Sequence, residues 1–173
     1  KDEARWVAEE TRRILLEDKK AEVAVFYRTN SQSRLFEEEL RKLNINYKLI
    51  GSVRFYDRKE IKDIISYLKF LINDSDLVSF ERVVNVPRRG IGESSVKKLR
   101  EFINTSNKSI SEILDSLDDV ENISPRIKGK LIDFKNLITE LKSYSIQGPS
   151  IAIQKVIELT GYKMNLIKEG TLE

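Results

Sequence analysis

The sequence predicts an α/β fragment followed by a longer, mostly α-helical subdomain, so that the chain is mainly α overall. Up to residue 51, a β-branched and aromatic run, a helical pattern and a second such run follow one another. After Gly51, every apolar cluster recurs at intervals of three and four residues, which is the period of a helix. The predicted boundary between the two parts therefore lies near residues 51–56.

The first part begins with a predicted helix at 2–18. EVAVFY at 22–27 and NYKLI at 46–50 have the composition of buried strands, and the segment 31–44 between them has helical spacing. A strand, a helix and a strand form a βαβ unit, which normally belongs to a larger parallel sheet. Because two strands cannot form such a sheet alone, we expect the chain to be a fragment of a larger α/β protein.

The second part is predicted to be a series of helices separated by polar, glycine or proline breaks. In chain order, they are expected at 57–72, at about 77–85, from near Ser94 or Ser95 to 103, around 110–117, from Pro125 to about 141, and from about 151 to Leu159.

The composition excludes several kinds of chemistry. The 173 residues include no cysteine and no histidine, so thiolate nucleophiles, cysteine zinc sites and histidine bases are ruled out. Asp57, Glu60 and Asp63 alternate with lysine and arginine on one predicted helix, which favours a solvated face over a metal site. We predict no catalytic residue and no bound metal or cofactor in this chain. The absence of long apolar runs and the charged N-terminus predict a cytoplasmic protein with no membrane partner.

The segment FERVVNVPRRGIGESSVKKL, at 80–99, has the layout of a helix-hairpin-helix. One helix ends before Pro87, a Gly-Ile-Gly turn follows, and a new helix begins near Ser94. Glycine at 90 and 92 is expected to allow a tight turn that brings amide N–H groups close to a phosphate, beside the positive end of the helix dipole. The alternative is an ordinary interhelical turn surrounded by solvated charges.

Charge is concentrated at this turn. The chain has a net charge of +3, with 31 basic and 28 acidic residues. Between 88 and 100, Glu93 is opposed by five cations, which are Arg88, Arg89, Lys97, Lys98 and Arg100. This local surplus predicts contacts with the phosphate backbone of DNA, which give affinity without sequence specificity.

A second polar segment, FYRTNSQSR at 26–34, lies between a predicted strand and a predicted helix. Tyr27 offers a stacking face, Arg28 and Arg34 offer contacts to phosphates or bases, and Asn30 offers an amide. The segment follows the carboxyl end of a predicted strand, where ligands bind in open α/β sheets. The alternative is that Asn30 and its neighbour only cap the helix.

Three segments together, AVFYRTNSQSR, GSVRFYDRKEIKDIISYLKFL and SFERVVNVPRRGIG, resemble superfamily 1 DNA helicases of the UvrD, Rep and PcrA type, and the PcrA branch most closely. The resemblance implies an ATP-dependent enzyme that moves along DNA in the 3′ to 5′ direction, with two RecA-like motor domains. Residues 1–54 resemble the opening part of the second motor domain. Residues 55–173 resemble the first portion of its inserted helical subdomain.

The resemblance also implies roles for the two polar segments. Single-stranded DNA would be contacted by the 27–34 segment, through Tyr27, Arg28, Asn30 and Arg34. The backbone of duplex DNA would be contacted by the 88–98 turn, through Arg88, Arg89, Gly90, Ile91, Gly92, Lys97 and Lys98.

The family uses ATP and Mg²⁺, but this sequence has no phosphate-binding GxxxxGK[ST] motif. We therefore expect the chain alone to be inactive, with ATP and Mg²⁺ bound by the parent helicase. The remaining domains of that helicase and repair or replication proteins are the other expected partners. The alternative function is a regulatory protein-interaction module of the same helicase.

Overall fold

The computed structural model describes residues 2–51, 53–106 and 108–170. The chain divides into two compact units, one ending at Ile61 and the other beginning at Lys62. Within the described ranges all regular secondary structure is helical. The prediction that the chain is mainly α is therefore confirmed.

Nine α-helices occur in these ranges, and eight of them match predicted helices. Their bounds are α1 Asp2–Glu17, α2 Ser33–Lys42, α3 Lys59–Ile72, α4 Leu77–Val83, α5 Glu93–Thr105, α6 Ile110–Asp115, α7 Pro125–Ser145, α8 Pro149–Leu159 and α9 Tyr162–Lys168. Short 3₁₀ turns occur at Asn30–Gln32, Phe55–Asp57 and Leu117–Asp119. None of the described helices is both long and apolar enough to cross a membrane.

The predicted βαβ unit is wrong. The segments 22–27 and 46–50 contain no strand, although the helix between them is present as α2. Across the described ranges, no backbone hydrogen bond joins these two segments. A β-branched composition fits a pleated surface, but a strand forms only when a neighbouring strand supplies the ladder of hydrogen bonds. Phe26 and Ile50, which a covered sheet would bury, are 93% and 84% exposed.

In the first unit, α1 packs against α2, and a buried carboxylate joins the irregular segments to α2. Ala4, Ala8 and Leu40 are buried. Glu37 is only 3% exposed; one of its oxygens accepts the Tyr47 hydroxyl at 3.0 Å and the other accepts the Phe55 amide at 3.4 Å. Because an unpaired buried carboxylate is costly, these two bonds fix the neighbouring segments to α2.

In the second unit, three phenylalanine rings form the centre of the core. Phe70 of α3 lies 5.6 Å from Phe80 of α4 and 6.2 Å from Phe134 of α7, measured between ring centroids. All three are at most 1% exposed. Full burial of each such ring contributes about 1.5–3 kcal/mol. The rings hold α4 against α3 and α7, and Leu99, which is fully buried, fixes α5 on the other side of the Gly-Ile-Gly turn.

Candidate nucleic-acid interface

The side chain of Asn85 holds the turn between α4 and α5 through two backbone amides. Its side-chain oxygen accepts the amide of Arg89 at 2.8 Å and the amide of Ile91 at 3.2 Å. The Ile91 side chain is 1% exposed and belongs to the core. Ile91 was predicted as part of the DNA contact, but its side chain lies in the core. The amides of Arg89 and Ile91 bond within the protein.

The Arg89 guanidinium also points into the protein. Its Nη2 donates to the Tyr67 hydroxyl at 2.6 Å, and its carbon lies 5.1 Å from the centre of the Phe134 ring. Burial raises the pKa of Tyr67 and the Arg89 guanidinium opposes that rise. Arg89 Nη1 lies 2.9–3.4 Å from four carbonyl oxygens, those of Val83, Val84, Val86 and Pro87.

Of the two glycines, only one has a backbone that side chains disfavour. Gly90 has φ of +74°, in the left-handed region. Gly92 has φ of −74°, which any residue can adopt, and it is the N-cap of α5. The expectation that the turn needs glycine at both positions for its conformation is thus correct for Gly90 and wrong for Gly92.

Several amides at the turn are available to a ligand. The N–H groups of Gly90, Gly92, Glu93 and Ser94 have no hydrogen-bond partner among the described residues. The last three open α5, where the helix dipole is positive and no side chain caps the N–H groups. The exposed Glu93 carboxylate adds one negative charge at this place.

The cations around the turn differ in their freedom. Arg88 is exposed and its side chain has no partner among the described residues. Lys97 is 75% exposed, with its ammonium 4.0 Å from Glu101. Lys98 is exposed but donates to the carbonyl of Asn122 at 2.7 Å. Arg100 forms a salt bridge with Glu81, so it contributes less to the local surplus than its charge suggests.

Lys130 of α7 is a further cation at the turn, and the sequence analysis missed it. Its ammonium donates to the carbonyl oxygen of Arg89. A Cβ added to Gly90 would lie 2.6 Å from that ammonium. Lys130 is 41 positions from Arg89 in sequence, so only the packing of α7 on the turn reveals its place.

In the first unit, the polar segment 27–34 leaves Arg28 free. The Arg28 side chain is exposed and has no partner among the described residues. The amides of Arg28 and Thr29 donate to the Gln32 side chain at 3.0 and 3.1 Å, which holds the turn before α2. Tyr27 is half-buried, and its ring stacks on Phe36 with 6.1 Å between centroids.

Asn30 and Arg34 also differ in how available their side chains are to a ligand. The carbonyl of Asn30 accepts Arg58 Nη2 at 3.0 Å, while its side chain is exposed. Arg34 donates to Glu38 at 2.7 Å and its guanidinium lies 5.0 Å from the Phe55 ring centre. That hydrogen bond raises the pKa of Arg34. Arg28 and the Asn30 amide are thus the groups of this segment most available to a ligand.

The carboxylates give no metal site in the described ranges. No group of three or more acidic residues there could hold a metal ion. Asp63, which the sequence places near Asp57 and Glu60, is 1% exposed and bonded to Arg82 and Tyr162.

Comparison with known families decides what kind of protein carries this turn. The family of UvrD-like helicase C-terminal domains matches residues 1–168. The chain belongs to that family. Among its relatives, the protein named ATP-dependent DNA helicase PcrA is 38% identical in Staphylococcus epidermidis and 37% identical in Staphylococcus aureus strain Mu50, over the whole of this chain. The chain spans 24% of the length of these relatives.

Proposed function

We propose that the chain belongs to an ATP-dependent DNA helicase and supplies it with a surface for the backbone of duplex DNA. The observation that carries this proposal is a set of amides, at Gly90, Gly92 and the start of α5, that have no hydrogen-bond partner in the described part of the chain, with the exposed Arg88 beside them. Amides at the positive end of a helix and nearby cations bind phosphate oxygens. Such contacts give affinity and register without base recognition, which suits an enzyme that must act on any sequence.

In the whole enzyme, hydrolysis of ATP would supply the free energy, and Mg²⁺ would neutralise charge on the ATP phosphates. This chain has no GxxxxGK[ST] motif, and its described carboxylates form no metal cluster. What this chain does is bind and orient. The turn holds phosphates of the duplex, while the charge of Arg88 and Lys97 draws the backbone to the amides.

For the segment 27–34 we propose a phosphate contact as well, made by Arg28 with help from the Asn30 amide. The guanidinium of Arg28 supports it, since it is exposed and has no partner within the described ranges. The expected ligand is single-stranded DNA. A nucleotide presents the same phosphate chemistry to one arginine, so the test must separate these two sources.

The duplex proposal is tested by fluorescence anisotropy with a labelled duplex at several salt concentrations. We expect a dissociation constant of about 10⁻⁴–10⁻⁶ M at physiological salt. Arg88→Gln with Lys97→Gln should weaken binding and reduce the slope of log K against log salt by roughly 0.9 per lost contact. Lys163→Gln with Lys168→Gln, which removes the same charge from α9, is the control.

Equal affinities and equal slopes for the two double variants would refute the duplex proposal. Saturable binding to a protein that competing DNA does not disturb would instead support the regulatory interaction module.

The Arg28 proposal is tested with a labelled single strand and, separately, with ATP. Arg28→Ala should weaken one of them, while Arg5→Ala, an exposed arginine of α1, should not. Loss of single-strand binding supports the DNA contact. Loss of ATP binding alone assigns Arg28 to the nucleotide, and no loss of either refutes the phosphate contact.

A further inference from the structure

We infer that Arg89 is a positioning residue: its guanidinium binds protein instead of DNA and fixes the shape in which the Gly90 and Gly92 amides face outward. This inference rests on the proposed duplex contact. It assigns different tasks to two adjacent arginines that the sequence cannot distinguish. Arg88, unlike Arg89, is exposed and has no side-chain partner among the described residues.

The first support is the number of bonds that Arg89 makes to the backbone beside it. The last carbonyls of a helix have no partner within the helix. Arg89 Nη1 lies 2.9 Å from the carbonyl of Val83 and 3.2 Å from that of Val84, at the end of α4. A positive charge there also complements the negative end of the helix dipole. The same nitrogen reaches the carbonyl of Val86, so the guanidinium joins the helix end to the turn.

The second support is that Arg89 is anchored on a rigid partner. Tyr67 is fully buried, and its hydroxyl lies 2.6 Å from Arg89 Nη2 and 2.5 Å from the carbonyl of Val86. The guanidinium also lies over the ring of Phe134, which is fully buried in the core. Its planar shape allows it to stack and to donate in several directions at once, which a lysine cannot do.

The third support is that the backbone of Arg89 is held as firmly as its side chain. The amide donates to Asn85 and the carbonyl accepts from Lys130. All three polar parts of the residue are therefore used within the protein. Moving the guanidinium to a phosphate would leave the carbonyls at the end of α4 and the buried Tyr67 hydroxyl without this donor.

The consequence concerns which form of the turn binds DNA. If Arg89 only shapes the turn, weakening its bonds lowers the fraction of molecules with a competent turn and lowers the apparent affinity by the same factor. The number of phosphates contacted stays the same, so the salt slope does not change. A direct phosphate contact would show the opposite pattern, with a change in slope when its charge is removed.

The experiment compares Arg89→Lys, Arg89→Gln and Tyr67→Phe with Arg88→Gln, using duplex binding at several salt concentrations. We expect both Arg89 variants and Tyr67→Phe to weaken binding by about tenfold with the wild-type slope. Arg88→Gln should reduce the slope by roughly 0.9. Tyr67→Phe is the decisive variant because a fully buried hydroxyl cannot touch DNA, and far-UV circular dichroism establishes that it folds.

A second measurement does not depend on DNA. In ¹H–¹⁵N spectra of the free protein, Arg89→Lys and Tyr67→Phe should shift the amide signals of Gly90 and Gly92, whereas Arg88→Gln should leave the Gly92 signal in place. A slope lowered by Arg89→Gln, together with an unchanged affinity for Tyr67→Phe, would overturn the inference. Unchanged Gly90 and Gly92 signals would also overturn it. Failure of the wild-type chain to bind duplex would refute the proposed function, while the spectra would still test the role of Arg89.

Discussion

The hydroxyl of Tyr162 donates a 2.6 Å hydrogen bond to Asp63 Oδ2, although 99 positions separate the two residues. Asp63 Oδ1 accepts Arg82 Nε at 2.8 Å. Asp63 and Tyr162 are 1% and 3% exposed, so the carboxylate joins α3, α4 and α9 inside the second unit. A buried carboxylate that accepts from two donors holds these helices in one arrangement, because moving a helix breaks one of these hydrogen bonds.

Removing the carboxylate should therefore destabilise the second unit strongly. We expect Asp63→Ala to lower the free energy of unfolding by about 3 kcal/mol, since it leaves Arg82 and the Tyr162 hydroxyl without this acceptor. Tyr162→Phe should cost about 1–2 kcal/mol. Urea unfolding followed by circular dichroism measures both, with Asp133→Ala on the exposed face of α7 as the control. An Asp63→Ala variant as stable as that control would contradict this account.

Eight of the nine described helices were predictable because each has an apolar stripe of its own, whereas the lack of strands at 22–27 and 46–50 was not predictable. A run such as EVAVFY contains no information about whether a partner strand lies beside it, and strand formation depends on that partner. The helix α9 was missed for a different reason. Gly161, with φ of +70°, follows the end of α8 and is also the N-cap of α9, so the glycine that indicates a helix end gives no sign of the helix that begins at Tyr162.

The candidate interface was predictable only in outline. The glycines and the clustered cations indicate the turn, but the sequence cannot show which way a guanidinium points. Arg88 and Arg89 are identical neighbours, and only the position of Tyr67 and of the α4 carbonyls distinguishes them. Lys130 could not be found at all, because its contact depends on how α7 packs against the turn.

The N-cap of α4 should make stability depend on pH. Asp76 accepts the Ser79 hydroxyl at 2.6 Å and the Ser79 amide at 3.0 Å, and these hydrogen bonds lower the pKa of Asp76. A lowered pKa in the folded state means that the contribution of Asp76 is complete above its ordinary pKa of about 3.9. The contribution is then lost as the pH falls through the lowered value.

We expect Asp76→Asn, which keeps an oxygen acceptor but cannot titrate, to remove this part of the acid dependence. Urea unfolding of both proteins from about pH 6 to about pH 2.5 measures it, because the other carboxylates are common to both. The stability difference should shrink at the acid end. A difference that is the same at every pH would refute the role of the Asp76 charge. Asp76→Ala should lose about 1 kcal/mol at neutral pH.

The two glycines of the turn should respond differently to alanine. Gly90→Ala places a side chain at φ of +74° and its Cβ against the Lys130 ammonium, so a loss of about 1–2 kcal/mol is expected. Gly92→Ala should remain within about 0.5 kcal/mol of wild type, because alanine is a poorer N-cap but restricts the unfolded chain. Gly129→Ala, in an open position within α7, should stabilise by about 0.5–1 kcal/mol. Equal unfolding free energies for the Gly90 and Gly92 variants would show that the turn conformation is not the constraint.

Lys130 should add positive charge at the turn, beyond the cations that the sequence places there. Its ammonium lies beside Gly90 and bonds the Arg89 carbonyl, so a phosphate at the Gly90 amide would lie near it. We expect Lys130→Met to weaken duplex binding and to reduce the salt slope by up to roughly 0.9. Lys135→Met, which removes the same charge from the same helix, is the matched control because that ammonium is paired with Asp115. If the two variants bind duplex with equal affinity and equal slope, neither the charge of Lys130 nor its bond to the Arg89 carbonyl contributes to duplex binding. A loss of affinity at unchanged slope for Lys130→Met alone would instead place Lys130 with Arg89 among the positioning residues.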